Sequence, residues 1–301
     1  MADGEFSQLF QTCVEREGSA YIAARDAILA LGEAVRSQIA AQLNASDWRA
    51  QLVAQILAGW LDHRTLFEQV ATRVEGRPSG SGRVAPISGT FAPAQRAQSL
   101  ASMGTVIVPR LLEMLLKTRE YSGAAELQAI LQALSALHDD RAVLPLADLV
   151  RQRAPDSARV FALGVLGAMR DARAFDAVQL AFTRLENSPA VRGAAAVALG
   201  LFGDRRATAT LLAALRDPTE NTGVRRHVAR GLGHLADPAA GDALAGLLQS
   251  ERSPEMALTV VQALGKLGGA SAIAALEETG RTHADATIRR AAEEARRSLL
   301  A

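Results

Sequence analysis

Cysteine, aromatic residues and net charge are all scarce in this sequence, and each shortage disfavours a class of protein. Cys13 is the only cysteine, which excludes an intramolecular disulfide and a cysteine-rich metal site. The 33 Lys and Arg residues balance 32 Asp and Glu, and a net charge of +1 is too low for binding nucleic acid along the whole chain. Aromatic residues make up only 4%, which leaves little of the usual filling of β-sheets.

Long apolar runs are also missing. Charged residues interrupt every apolar run well before the roughly 18 residues that a membrane-spanning helix requires. Near the amino terminus, Asp3 and Glu5 stand where a secretory signal needs positive charge. The single cysteine fits a reducing compartment. These features predict a soluble, cytoplasmic protein without a membrane span.

Alanine and leucine are abundant instead, with 61 and 40 residues, and both favour helices. A leucine recurs at intervals of 32 to 34 residues, with a small residue one position later and a large apolar residue three positions later. These anchor positions are Leu100, Leu134, Leu166, Leu199, Leu232 and Leu264. A fixed period of this length indicates a repeat architecture.

Each repeat reads as two helices. In the unit at 191–218, apolar residues at helical spacing run up to Phe202, and Gly203 and Asp204 then break the pattern. A second helical run through Leu211 ends before Pro218. One such hairpin cannot bury its apolar stripe alone, so successive hairpins must stack. The sequence therefore predicts an all-α fold, an α-solenoid of about eight stacked helical hairpins.

The regularity of the repeat divides the chain into three expected segments. Residues 1–75 should hold an amino-terminal capping helix and two divergent hairpins, with Ile28 and Leu57 as weaker anchors. Residues 76–93 are rich in Gly, Pro and Ser and read as an inserted loop. Residues 94–301 should hold the regular repeats and a carboxy-terminal capping helix.

The pattern VR-x3-A-x2-LG-x-FGD-x2-A at residues 191–207 resembles the HEAT-like repeat of the phycobilisome-lyase type. The resemblance covers nearly the whole chain and is strongest from about residue 125 to residue 280. It implies a HEAT-like fold. It also implies one alternative function, that of a bilin lyase-like subunit handling a tetrapyrrole chromophore, although no catalytic residue carries over.

Charged residues recur with the repeat. Asp stands five positions after five of the anchors, and Arg stands at four places seven positions before an anchor or its equivalent. The ladder consists of Asp62, Asp139, Asp171, Asp204, Asp237, Arg159, Arg192, Arg225 and Arg289. We expect each Asp to cap the second helix of its hairpin and to pair with the Arg of the next hairpin. A catalytic group occurs once, whereas a stacking group recurs, so a structural role is favoured.

No catalytic residue, metal site or cofactor is predicted. No His precedes a Glu, which is the pair expected of the HEAT-like deoxyhypusine hydroxylases, and His138 and His234 fit solvated or capping positions. Cys13 shares a helix face with Phe6 and Phe10, which indicates a buried residue rather than a reactive thiol. No glycine-rich phosphate loop follows a strand, so nucleotide binding is not predicted either.

A DNA-binding or base-excision protein of the HEAT-like class is the least favoured alternative. Such proteins use a cationic face lined by the second helices. The outward positions expected there, such as Asp148, Arg216 and Asp242, are mixed in sign. A surface for phosphates should instead show Lys or Arg in repeat after repeat.

The favoured function is a non-catalytic scaffold or adaptor that binds another protein, and the aromatic residues indicate where. Both Trp, both Tyr and four of the eight Phe fall within residues 1–121. Trp48 and Arg49 should lie in the first turn of a helix at the rim of the stack, and Tyr121 lies between hairpins. We expect these residues and the loop, with Arg77 and Arg83, to form one docking surface. The alternative is that large side chains merely fill irregular early repeats. Trp60 is expected in the core. The oligomeric state is not predicted.

Overall fold

The computed structural model describes residues 3–75, 92–119, 123–152, 154–251 and 253–301. The chain divides into two compact units, residues 1–149 (unit 1) and 150–301 (unit 2). Helices account for nearly all regular structure, and these described ranges contain no β-strand. The predicted fold class, an all-α solenoid of helical hairpins, is confirmed.

Unit 1 is built from helices of unequal length. They are α1 (Asp3–Glu15), α2 (Gly18–Ala30), α3 (Arg36–Gln42), α4 (Trp48–Asp62), α5 (Arg64–Val74), α6 (Pro93–Ala101), α7 (Val108–Leu112) and α8 (Ala124–Leu137). A π-helical segment, Glu113–Thr118, continues α7. Helix α9 (Val143–Arg151) spans the boundary between the units.

The core of unit 1 uses large side chains. Helix α1 packs against α2 and α4, and the rings of Phe6 and Phe10 stack with their centres 5.6 Å apart. Tyr21 and Ile28 of α2 are fully buried in the same cluster, as is Cys13. Aromatic packing thus fills the irregular start of the chain.

Unit 2 repeats one hairpin. Its helices are α10 (Asp156–Met169), α11 (Phe175–Thr183), α12 (Pro189–Phe202), α13 (Thr208–Arg216), α14 (Thr222–Leu235), α15 (Gly241–Ser250), α16 (Pro254–Leu267), α17 (Gly269–Thr282) and α18 (Ala286–Leu300). The first helices pack in order, α10 on α12, α12 on α14, α14 on α16 and α16 on α18. Ser188 and Ser253 cap α12 and α16, each with a proline at the first helical position.

The anchors of the repeat lie at these helix contacts. All six anchor leucines are fully buried. The small residue after each anchor lets the next helix approach, and the closest approach joins α12 to α14. There, a Cβ added to Gly200 would overlap the carbonyl oxygen of Gly231. A Cβ on Gly233 would lie 2.6 Å from Cα of Ala263 in α16.

Several predicted features lie outside the described residues. These are residues 76–91 of the loop predicted at 76–93, including Arg77 and Arg83, and also Tyr121. Pro93, the last residue of that predicted loop, is the first residue of α6. The three expected segments remain predictions.

Membrane-spanning potential is limited in the described part of the chain. No single helix there is long and apolar enough to cross a membrane. One bent pair, Pro93–Ala101 with Thr105–Lys117, meets the length and composition criteria when its two parts are taken together.

Candidate functional site

The recurring Asp residues lie at the turn between the two helices of a hairpin. The first helices α8, α10, α12 and α14 each end in a left-handed residue, such as Gly203 with φ 72°, and an Asp then begins a short 3-10 turn that leads into the second helix. The Asp204 carboxylate accepts a hydrogen bond from the Arg206 backbone N–H at 2.9 Å. The same cap occurs at Asp139, Asp171 and Asp237.

The predicted pairing of these Asp residues with the Arg of the next hairpin is wrong. Asp139, Asp171 and Asp204 pair instead with the Arg two positions later, at 2.6 to 2.7 Å. The tight turn brings that guanidinium back over the carboxylate. Hydrogen bonds from the Arg173 and Arg206 side chains hold the pKa values of Asp171 and Asp204 below the usual range.

The recurring Arg residues bind backbone carbonyls at the other end of the second helix. Arg192 Nε donates to Phe182 O at 3.0 Å, and Arg225 Nε donates to Leu215 O at 3.2 Å. Arg159 and Arg289 likewise donate to carbonyls at the ends of α9 and α17. The spacing of about 20 residues therefore spans one helix that Asp caps at its start and Arg caps at its end.

Asp62 does not belong to this ladder. It is the last residue of α4, and the residue that follows it, His63, makes no side-chain cap to α5. The Asp62 carboxylate instead accepts from Arg36 Nη1 at 2.6 Å. The hairpin of α4 and α5 lacks the 3-10 turn that makes the Asp a cap in the other repeats.

Trp48 and Arg49 form a pre-positioned pair on the surface of unit 1. Asp47 caps α4 by accepting from the Arg49 backbone N–H, so Trp48 is the first helical residue. The Arg49 guanidinium lies 4.8 Å from the centre of the Trp48 ring. Its Nη2 donates to both carboxylate oxygens of Asp148 in α9, at 3.0 Å each. Trp48 is half-buried, and 45% of the Arg49 side chain is exposed.

A buried ionic network, not predicted from the sequence, surrounds Glu113. This fully buried carboxylate accepts hydrogen bonds from Tyr21 Oη, Arg25 Nη1, Trp60 Nε1 and Arg110 Nη1 at 2.8 to 2.9 Å. The guanidinium groups of Arg25 and Arg110 each lie 5.0 Å from the centre of the Trp60 ring. Burial, followed by the charge of Glu113, raises the pKa of Tyr21.

Two members of this network, Arg25 and Trp60, form one wall of an open cleft of about 520 Å³. The cleft is lined by Arg25, Asp26, Leu29, Ala30, Trp60, Leu61, Arg64 and Glu68. Trp60, expected in the core, is half-buried and lines the cleft. Because four donors already occupy the Glu113 oxygens, this carboxylate is suited to holding the wall together rather than to moving a proton.

The single cysteine is inert in this structure. Cys13 is fully buried, and burial raises the pKa of its thiol to about 12. The prediction of a buried residue is confirmed.

No group of three or more His, Cys, Asp or Glu side chains in the described ranges could hold a metal ion.

Unit 2 carries a second groove, of about 540 Å³, along α14 and α16. Helix α14 contributes Arg226, Arg230 and His234, and α16 contributes Glu255, Thr259, Gln262, Ala263 and Lys266. Lys266 Nζ donates to His234 Nε2 at 3.0 Å, and Arg226 forms an ion pair with Glu255. The sequence predicts a solvated or capping position for His234, and nothing in its spacing connects it with these cations.

Comparison with known proteins identifies the repeat. A family model described as HEAT repeats matches residues 143–222 and 219–297. No curated protein matches the sequence.

Three solved structures are similar at low identity. The Escherichia coli protein YibA shares 14% identity, with 89% of this chain and 92% of that chain covered and a TM-score of 0.41. The complex of CpcE and CpcF of phycocyanin lyase from Nostoc sp. PCC7120 shares 18%, with 88% and 94% covered and a TM-score of 0.40. Human deoxyhypusine hydroxylase in complex with glycerol shares 18%, with 88% and 96% covered and a TM-score of 0.37.

Proposed function

The chain belongs to the HEAT-repeat family, and from this premise we propose that it is a non-catalytic scaffold or adaptor that binds another protein. Stacked helical hairpins provide an extended surface whose exposed positions are free to vary while the anchors hold the fold. The proposed partner surface lies in unit 1 and contains Trp48 and Arg49.

The observation that carries this proposal is the Trp48–Arg49 pair. Trp and Arg are the residues most enriched among the energetic centres of protein interfaces. Here the cation–π contact and the bonds to Asp148 fix Arg49 before any partner arrives. A side chain that is already ordered loses less conformational entropy on binding, so this arrangement favours association.

The ionic groups elsewhere support a non-catalytic function. The Asp and Arg ladder is used at both ends of the second helices, where it satisfies backbone groups. The carboxylate of Glu113 is engaged by four donors, and the Cys13 thiol is buried and protonated. These groups serve to hold helices together.

The proposal extends to residues beyond the described ranges. Tyr121, Arg77 and Arg83 are proposed to join the same surface, because long loops inserted into compact repeats are often binding loops. The cytoplasm is the proposed location, since the single cysteine fits a reducing compartment.

The test begins with the full chain, tagged and purified from its own organism, and with the identification of a stoichiometric protein partner. Titration of the purified partner by calorimetry should then give saturable binding. We expect Trp48→Ala and Arg49→Gln each to weaken this binding by about tenfold or more, since both are proposed interface centres. Leu185→Ala is the matched control, because Leu185 lies in unit 2 with 78% of its surface exposed.

Thermal unfolding of every variant separates lost binding from lost structure. Folded Trp48 and Arg49 variants with parental affinity would contradict the proposed surface. Stable formation of a coloured adduct on addition of a bilin, followed by absorbance, would contradict the non-catalytic function itself.

A further inference from the structure

The groove of unit 2 holds an unbalanced cluster of positive charge. Arg226, Arg230 and His234 are spaced four residues apart on α14, so they lie on one face of the helix, about 6 Å apart along its axis. Lys266 of α16 lies across the groove from His234. We refer to the residues along these two helices as the cationic groove.

Most of these cations have no internal counter-charge. Within the described residues, Arg226 pairs with Glu255, but no carboxylate pairs with Arg230. Lys266 donates to the ring of His234, which is a neutral acceptor. The recurring Arg residues of the ladder differ, because each one donates to a backbone carbonyl at a helix end.

The positive charge around the groove affects the pKa of His234. Partial burial is the largest cause that lowers this pKa, and the charges of Lys266, Arg230 and Arg170 lower it further. These cations come from α16, from α14 and from the end of α10, so the ring meets positive charge from three helices. An anion bound in the groove would offset the part of this effect that the positive charges cause.

We propose that the cationic groove binds an acidic segment of a partner protein, with carboxylates seated on Arg230 and Lys266, and that His234 takes up a proton when they bind and releases its contact with Lys266. The spacing supports this ligand, because acidic residues two apart in an extended peptide lie about 6.6 Å apart, close to the 6 Å step between the cations of α14. The uncharged Thr259 and Gln262 face the same groove and offer hydrogen bonds to a peptide backbone.

Nucleic acid fits the groove less well. The carboxylate of Glu255 lies among the cations, and a surface for phosphates should instead carry Lys or Arg in repeat after repeat. The cations that line the groove lie on α14 and α16. The proposal rests on the proposed function for its ligand class, but it concerns a different unit and its test needs no natural partner.

The experiment uses the full chain labelled with ¹⁵N, and ¹³C at the histidine rings, with a blocked octapeptide of alternating Glu and Ser as the probe. The expected result is saturable shifts confined to α14 and α16, together with a rise in the pKa of His234. Binding should strengthen as the pH falls through this pKa, because protonated His234 attracts a carboxylate and neutral His234 does not.

Charge variants sharpen the test. Arg230→Glu and Lys266→Glu should each lower the affinity for the peptide by about tenfold. Glu255→Gln should strengthen it, because the variant releases Arg226 from its internal ion pair. Arg216→Glu is the matched control: it makes the same charge change at an exposed position of α13 and should leave the affinity unchanged.

Three results would overturn the proposal. One is the absence of saturable shifts at α14 and α16 at millimolar peptide. Another is an equal loss of affinity in the Arg216 and Arg230 variants, which would indicate unspecific charge attraction. The third is tighter binding of an oligothymidylate than of the peptide. None of these results bears on the Trp48 surface, so the two proposals fail separately.

Discussion

Units 1 and 2 solve the same packing problem with different side chains. In unit 2 the first helices meet through small residues, with Gly200 against Gly231 and Gly233 against Ala263. In unit 1, Tyr21 and Trp60 surround a buried carboxylate. A regular repeat can thus bring backbones into contact, whereas irregular hairpins leave gaps that need large or hydrogen-bonded side chains to fill them.

The described aromatic residues of unit 1 fall into two groups, those that fill the core and those that reach the surface. Tyr21, Phe67, Phe6 and Phe10 are buried, in agreement with the alternative that large side chains fill irregular early repeats. Trp48 is half-buried at the start of α4 and contacts an exposed arginine. Filling therefore accounts for most of the aromatic residues that the structure describes in this unit, and Trp48 is the one of them for which a binding function is proposed.

The largest expected effect comes from removing the buried charge of unit 1. Glu113→Gln removes the carboxylate that Arg25 and the buried Arg110 share, and although Arg25 keeps its pair with Asp26, this loss should lower the free energy of unfolding by about 3 to 5 kcal/mol. Both tryptophans lie in unit 1, so urea unfolding followed by tryptophan fluorescence reports on this unit. Glu68→Gln, which removes an exposed pair with Arg64, is the control and should cost less than about 1 kcal/mol. Equal midpoints for the two variants would mean that the network does not hold unit 1 together.

A smaller effect is expected from blocking the closest helix contact of unit 2. Gly200→Ala places a methyl group against the Gly231 carbonyl, so we expect a loss of about 1 to 3 kcal/mol, and a greater loss for Gly200→Leu. Thermal unfolding followed by circular dichroism should show it, while the tryptophan signal from unit 1 changes little. The matched control is Gly246→Ala in α15, where a Cβ meets nothing within 4 Å, and a gain of about 0.5 to 1 kcal/mol is expected. A Gly200→Ala variant that melts like the parent would show that unit 2 does not depend on this contact.

The smallest effect concerns one cap of the ladder. Asp204→Ala should cost about 0.5 to 2 kcal/mol, and Asp204→Asn less, because the amide oxygen can still accept from the Arg206 N–H. The folded pKa of Asp204 lies below the usual value, so its ionised form contributes stability above that value and loses it as the pH falls through the folded pKa. Urea midpoints of the parent and of Asp204→Asn should therefore converge between pH 7 and pH 3. A constant difference between them would contradict an ionised cap.

Features set by spacing along the chain could be predicted from the sequence. The six anchor leucines are buried because a fixed period places them at equivalent helix contacts, and four of the five Asp residues are caps because a cap depends only on residues within one turn. The partners of the recurring Arg residues could not be predicted, since they are backbone carbonyls, which every residue carries.

Contacts between residues far apart in the sequence could not be predicted either. Arg49 meets Asp148 across 99 positions, and Glu113 meets Tyr21 across 92. In the irregular unit no period relates such positions. The cationic groove also depends on packing, because Lys266 and His234 lie 32 residues apart, in equivalent parts of neighbouring repeats.

The arginines at the helix ends of unit 2 each cap a helix of the preceding hairpin. The last carbonyls of α11 and α13 are satisfied by Arg192 and Arg225, which belong to the hairpins that follow. Each of these repeats is thus completed by its successor, and Arg289 of α18 serves the end of α17 in the same way. Shortening the chain from its carboxyl end would therefore remove the arginine that caps the repeat left behind and open its last turn to water, and loss of structure would spread from that end toward α10.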